Sequence, residues 1–198
     1  QPEIIMSSID PSRIRSLALV GHGGAGKTTL IETLLAASGA IPAAGSIDRG
    51  STVCDYDPLE KEHRHSIKLA AAHLDHDSTR IHLLDTPGYP DFMGQAMSAL
   101  DAVETAAVVI DAGKGIELTT GRMMHWSQAR KLCRMIIVNK IDSPNADLPG
   151  LLADIQAAYG RECLPINLPA GGGSKITDCF FTPGGEADFS SVSDAHRA

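Results

Sequence analysis

Long apolar runs, paired cysteines, aromatic rings and an excess of positive charge are all scarce in this sequence. No stretch approaches the roughly 20 apolar residues that a bilayer-spanning helix needs. The segment from Gln1 to Pro11 carries acidic residues but no basic cluster, which is unlike a secretory leader. Cys54, Cys133, Cys163 and Cys179 form no CxxC pair and are too dispersed for a zinc cluster. Scattered thiols of this kind fit a reducing compartment and structural roles. Aromatic residues make up 4% of the chain, so its core must be aliphatic and rich in alanine. Seventeen Lys and Arg against 24 Asp and Glu give a net charge of −7, which opposes non-specific wrapping around a polyanion but leaves room for a local basic face. The expectation is a soluble, cytoplasmic, monomeric protein that neither crosses a membrane nor reads DNA sequence.

What is present is an ordinary globular composition: 198 residues, 43% hydrophobic and 21% charged, enough for one domain and part of another. Strand-like and helix-like segments alternate along most of it, which predicts an α/β fold with a largely parallel sheet. Strands are expected at Ser16–Val20, Arg80–Leu84, Thr105–Ile110 and Met135–Val138, with Ile67–Ala72 as a neighbour joined through the polar turn Asp75–Thr79. Helices are expected at Lys27–Ala37, Leu118–Leu132 and Asp147–Tyr159, the last closed by Gly160. After Arg161 turn-rich segments take over (PAGGGSK, TPGGE). A boundary is placed near Pro165, with a further strand at Cys163–Leu168 and the start of a helix at Ser193–Ala198.

Three short segments carry chemistry. Gly21-His22-Gly23-Gly24-Ala25-Gly26-Lys27-Thr28 satisfies GxxxxGK[ST], and Thr29 follows it into the predicted helix. Glycines let successive backbone N–H groups converge on an anion, and the helix dipole points at the same place. Lys27 supplies a charge across the β- and γ-phosphates, and the Thr28 hydroxyl is a ligand for Mg²⁺. His22 is expected beside the phosphates as a loop residue rather than a catalyst. Asp85-Thr86-Pro87-Gly88 follows the RIHLL strand. There a carboxylate can hold Mg²⁺, and the Gly88 N–H can sense a γ-phosphate, so that the following loop responds to hydrolysis. Asn139-Lys140-Ile141-Asp142 closes the MIIV strand. One carboxylate, Asp142, accepts from both donors on the guanine edge, whereas adenine would present it with a lone pair. The Lys140 stem is expected along the base, and Asn139 is expected to tie this loop to the phosphate loop. Taken together in this order, the motifs predict a P-loop NTPase fold, an αβα arrangement of three layers around a mostly parallel sheet, binding GTP or GDP with Mg²⁺.

These segments resemble the GTP-binding domain of translational GTPases, specifically elongation factor G and its paralogues. The resemblance rests on GHGGAGKTTLIETLL, DYDPLEKEHRHSI, DTPGYPDF, VVIDAGKGIE and VNKIDSPNAD, which cover most of Leu17 to Asp147. LPINLPAG then looks like the start of the insertion that elongation factor G carries inside this domain. The resemblance implies a GTP-binding domain over residues 1–164, incomplete at its C-terminal end. Residues 165–198 would begin a small α/β inserted subdomain, so the chain is expected to be an N-terminal fragment. It further implies a ribosome-activated GTPase, docking at the factor-binding site of the large subunit and coupling hydrolysis to movement of tRNA and mRNA. Ser66 takes the place of the first switch's Mg²⁺-ligating Thr, giving Thr28, Ser66 and Asp85 as metal residues. Lys27, Gly88 and Tyr89 fall at the catalytic positions.

Three positions depart from the family pattern. Tyr89 stands where a water-positioning His is usual, and a phenol is a poorer general base than an imidazole. Gly24 stands where an Asp is usual, and because both departures involve neighbouring catalytic groups they are read as one paired change. Arg64 stands where Gly is common. A second reading follows from these departures: a GTP-dependent ribosome-binding regulatory module with weak or no hydrolysis. A kinase or ATPase is disfavoured by NKID. The neighbouring His73, His76 and His82 are read as polar hairpin residues rather than a metal site. Met123, Met124 and Trp126 are read as packing.

Overall fold

The computed structural model describes residues 9–181 and 184–190. Seven strands and five α-helices are described: β1 (Ile14–Val20), α1 (Lys27–Ala37), α2 (Pro58–His63), β2 (Ala70–His76), β3 (Thr79–Asp85), α3 (Met93–Leu100), β4 (Thr105–Asp111), α4 (Leu118–Ala129), β5 (Cys133–Asn139), α5 (Leu148–Tyr159), β6 (Asn167–Ala170) and β7 (Lys175–Asp178). Contacts divide the chain into two compact units, Gln1–Ile110 with Glu117–Asn139 and Asp111–Ile116 with Lys140–Ala198. The expected helix at Ser193–Ala198 lies outside the described residues.

The first unit is built on a mixed, mostly parallel sheet of order β2-β3-β1-β4-β5 with flanking helices. β1 pairs in parallel with β3 (Leu17 opposite Leu83) and with β4 (Leu17 opposite Thr105), while β2 runs antiparallel to β3. The side-chain period of two sends Leu19, Ala107 and Val109 into one core cluster with Ile31 and Leu35 of α1. The alternate residues Ala18, Val20, Ala106 and Val108 are equally inaccessible. A sheet covered on both faces explains why β1 and β4 read as continuous apolar runs rather than alternating ones. Each fully buried Leu or Ile here contributes about 1.5–3 kcal/mol.

The helix Lys27–Ala37 falls where the sequence places it. The expected Ile67–Ala72 strand does not: it begins at Ala70 and runs on to His76, turning at Asp77 and Ser78, which both have positive φ. The reason is a side chain. Glu60 Oε1 accepts from the N–H groups of both Ile67 and Lys68 at 2.9 Å, taking donors that a strand there would have used. α4 stops at Ala129, short of Leu132, because Lys131 enters the left-handed region and Leu132 N–H turns back to Ser127 O.

In the second unit α5 starts from its N-cap Asp147, whose carboxylate accepts from Gly150 N–H at 3.1 Å, and ends at Gly160. The expected strand at Cys163–Leu168 is displaced to Asn167–Ala170. Cys163 is instead drawn into the turn after α5, its carbonyl accepting from Gln156 Nε2 at 3.1 Å. β6 and β7 form a two-stranded antiparallel sheet over a small core of Leu168 and Cys179 with Ala187 and Phe189.

Candidate functional site

The loop between β1 and α1 is shaped by what its backbone must avoid. Gly21 has φ +138°, and a Cβ there would strike the Val109 carbonyl of β4, so only glycine lets the loop leave the sheet. Ala25 is fully buried, Gly24 and Thr29 are exposed, and the Thr29 carbonyl accepts from Thr33 Oγ1 at 2.9 Å. His22 is buried in the loop. The amide of Asn139, the last residue of β5, donates to Ala25 O at 2.9 Å, making the tie expected from the sequence, and the Asn139 side chain lies against Gly26.

Lys27 folds back into this loop. It is buried, and its Nζ donates to Gly21 O at 3.0 Å and His22 O at 2.9 Å. Burial lowers its pKa to about 8, opposed by the nearby Asp85 carboxylate. An ammonium held only by carbonyls in a buried cradle is poised for a stronger, anionic acceptor. Gly88 closes the cradle: a Cβ on it would lie 2.5 Å from Lys27 Nζ and 2.6 Å from Gly23 N, so its backbone rests directly on the phosphate loop.

The three expected metal residues come together. Thr28 Oγ1 donates to Asp85 Oδ2 at 2.6 Å, Ser66 Oγ donates to Asp55 Oδ1 at 2.7 Å, and the two hydroxyl oxygens lie 3.0 Å apart. With each proton given to a carboxylate, those oxygens meet lone pair to lone pair, an arrangement that a cation satisfies. Asp85 Oδ1 is buried with no hydrogen-bond partner among the described residues. Burial raises the Asp85 pKa to about 7, with Asp55 and Glu60 adding to the rise against the Thr28 hydrogen bond and Lys27. Hard oxygen donors, an unsatisfied carboxylate oxygen and excess negative charge fit Mg²⁺. No group of three or more His, Cys, Asp or Glu among the described residues is placed to hold a metal. His73 and His82 face each other across β2 and β3 with ring centroids 6.0 Å apart.

Three buried carboxylates that the motifs did not single out hold the segment between α1 and β2. Glu32, on α1 one turn beyond Thr28, accepts from Gly45 N–H at 2.9 Å and Val53 N–H at 2.5 Å. Asp55 accepts from Thr52 Oγ1 at 3.1 Å as well as from Ser66. Glu60 completes a capping box with Asp57 and anchors Ile67 and Lys68. The D-x-x-E spacing of Asp57 and Glu60 signals the capping box in the sequence. The i, i+4 spacing of Thr28 and Glu32 signals their common helix face. Cys54 sits among these acids, and burial together with their charge pushes its thiol pKa up, leaving it an inert packing residue.

Arg64 occupies the left-handed region (φ 56°, ψ 35°) as the C-cap of α2, the conformation that makes glycine the easier choice there. Tyr89 is 44% exposed and packs against the phosphate loop at Gly23. The ring of Tyr89 lies within 3.1–3.3 Å of where a Cβ on Gly23 would sit, while a Cβ on Gly24 would meet open space. In the second unit Lys140, at φ 56°, places Nζ 2.8 Å from Asp111 Oδ2, while Asp111 Oδ1 accepts from Gly113 N–H at 2.9 Å. Asp142 is exposed in the turn that follows β5.

Residues 12–189, which carry the glycine loop, Asp85-Thr86-Pro87-Gly88 and the NKID turn, match a family model described as the elongation factor Tu GTP-binding domain. The chain belongs to this family of translation-factor GTPase domains. It is 38% identical over 163 residues to an elongation factor G-like protein of Mycobacterium tuberculosis, covering 82% of this chain and 23% of that protein. It is 35% identical over 170 residues to peptide chain release factor 3 of Microcystis aeruginosa, covering 84% and 31% respectively. A crystal structure of a Thermus thermophilus protein superposes with a TM-score of 0.81 at 40% identity, over 85% of this chain and 26% of that one. The bacterial selenocysteine-specific elongation factor shares the fold, with a TM-score of 0.59 at 24% identity over 73% of this chain and 24% of that one. The chain thus spans between about a fifth and a third of the length of the curated relatives it matches. No described helix is long and apolar enough to cross a membrane.

Proposed function

We propose that this chain is the GTP-binding domain of an elongation factor G-like translational GTPase, with residues 1–164 forming that domain and 165–198 beginning its inserted subdomain. The observation that carries the reading is the convergence of Lys27, Gly88, Thr28, Ser66 and Asp85 at one end of the sheet's parallel strands. The loop amides of Gly21 to Thr29 bind the β-phosphate. Lys27 exchanges its two carbonyl acceptors for phosphate oxygens, whose negative charge offsets the burial that lowers its pKa. Thr28, Ser66 and Asp85 would hold Mg²⁺, which when bound supplies positive charge to the phosphate oxygens. The Gly88 N–H meets the γ-phosphate, and Asp142 with Lys140 selects guanine.

In the reaction, water attacks the γ-phosphorus and the bond from that phosphorus to the β-phosphate bridging oxygen breaks. The products are GDP and inorganic phosphate, and the water's proton passes to solvent or phosphate. Tyr89 orients the water by hydrogen bonding. Gly88 loses its partner when the γ-phosphate departs, so the segment carrying it relaxes. Docking on the large ribosomal subunit is the trigger, and movement of tRNA and mRNA is the work coupled to it.

A second reading is favoured by Tyr89 in place of an imidazole: a GTP-dependent ribosome-binding regulator in which hydrolysis is slow or absent. GTP turnover by the intact protein with and without ribosomes separates the two. Strong stimulation supports the translocation-type enzyme, and none supports the regulator.

A further inference from the structure

A carboxylate with no exposed surface is costly unless it is well hydrogen bonded, and Glu32 on α1 is such a group. Each of its oxygens takes one backbone amide, Oε2 from Gly45 at 2.9 Å and Oε1 from Val53 at 2.5 Å. Those two amides are the two ends of one loop. Inside it, Ser46 N–H donates to Ser51 Oγ at 3.0 Å and Ser51 N–H returns to Ser46 O at 3.1 Å. The mouth of the loop is tight: a Cβ on Gly45 would lie 2.4 Å from Ser51 O and 2.8 Å from Glu32 Oε2. After Val53 the chain sends Cys54 into the core beside Ile31 and Leu35, then reaches Asp55. Asp55 accepts from Thr52 Oγ1 at 3.1 Å and from Ser66 Oγ at 2.7 Å, and Ser66 Oγ lies 3.0 Å from Thr28 Oγ1. Thr28 stands one helical turn before Glu32 on the same helix, so these contacts close a ring back onto α1. The Cys54 contact is apolar and without direction, whereas two charge-assisted hydrogen bonds fix position.

We propose that Glu32 is a positioning residue for the cation site: by clasping Gly45 and Val53 it fixes where Asp55 stands, and Asp55 in turn holds Ser66 Oγ against Thr28. The inference rests on the reading above of Thr28, Ser66 and Asp85 as the Mg²⁺ residues, and it extends that site to a side chain on the far side of the 45–55 segment. Glu32 acts through Asp55 and Ser66, so its loss weakens what Mg²⁺ contributes and leaves the glycine loop and Lys27 as they are. One charge-assisted hydrogen bond is lost in Glu32→Gln, where an amide N–H group is turned on a backbone N–H. Transmitted in part, that raises the Mg²⁺ requirement about three- to tenfold.

The test uses the intact protein and the variants Glu32→Gln, Gly45→Ala, Asp55→Ala and Glu32→Gln/Asp55→Ala. Three quantities are read: GTP affinity in EDTA, the Mg²⁺ concentration that half-restores full GTP affinity, and amide hydrogen exchange across residues 55–66 without metal or nucleotide. The expected result for Glu32→Gln is an unchanged affinity in EDTA, a three- to tenfold higher Mg²⁺ requirement and faster exchange across 55–66. Gly45→Ala, which keeps the carboxylate but crowds its clasp, should move all three the same way, and it carries the test if Glu32→Gln folds poorly. Adding Glu32→Gln to Asp55→Ala should raise the Mg²⁺ requirement no further. An effect of Glu32→Gln undiminished in the Asp55→Ala background would overturn the proposal. So would a loss of GTP affinity equal with and without Mg²⁺, which is the signature of a merely structural role. A folded Glu32→Gln with the wild-type Mg²⁺ requirement would defeat this inference alone. A wild-type protein whose GTP affinity ignored Mg²⁺ would defeat the underlying reading and the inference with it.

Discussion

Replacing Asp85 with Asn should stabilise the nucleotide-free chain while weakening its function. Asp85 is 1% exposed, one of its oxygens has no partner among the described residues, and burial raises its pKa from 3.8 to about 7. The folded state therefore keeps this proton while the unfolded chain has already released it. Stability from the group is fully present below pH 3.8, is lost as pH rises towards 7, and stays flat above that. At 1.36 kcal/mol for each tenfold in proton affinity, the loss is capped at about 4 kcal/mol. An Asn oxygen still accepts from Thr28 Oγ1, but its amide N–H group enters a site without an acceptor, which subtracts about 1 kcal/mol. Asp85→Asn should thus exceed wild type by about 2–3 kcal/mol at pH 8 and by little or nothing at pH 4. The assay is urea denaturation in EDTA without nucleotide across that range. Taking the difference between the two proteins cancels the other titrating groups. A variant less stable than wild type at pH 8, or a difference that ignores pH, would refute the reasoning. With Mg²⁺ and GTP the order should reverse, because the variant has lost a cation ligand.

Arg64→Gly should raise stability by about 0.5–1 kcal/mol by removing a left-handed side chain, read as a higher Tm; the Arg64–Asp48 ion pair it deletes is long at 3.7 Å and exposed. Asn139→Ala cuts the bond to Ala25 O and should weaken GTP binding about five- to tenfold by calorimetry, and no change would show that the phosphate loop needs no tie to β5. Asp142→Asn should shift preference from guanine towards xanthine nucleotides in a competition assay, and full retention of GTP affinity would remove Asp142 from the base-reading role.

The parts legible in the sequence were those set by local rules. The strand–glycine–helix order fixed the bounds of α1, and the apolar runs of β1 and β4 announced a sheet covered on both faces. What stayed hidden depended on side chains meeting from far along the chain. Glu60 claims the amides of Ile67 and Lys68, so a β-prone stretch is held as a loop and the strand starts three residues later than expected. Glu32 reads as a polar helix residue, yet it is fully buried because it anchors Gly45 and Val53. The glycine, lysine and threonine of the cradle were legible because their chemistry is local. Asp55, which accepts from Ser66 and Thr52, was not, because those partners are hydroxyls with no local sequence signature.

The central claim is a polyphosphate cradle at Gly21–Thr28 on a chain whose Asp142 selects guanine. It is tested most directly by displacing a bound fluorescent guanine nucleotide from the intact protein with GTP or ATP in the presence of Mg²⁺. GTP should compete about 100-fold or more better than ATP, because Asp142 would face a lone pair on adenine. Equal displacement by the two would contradict the account.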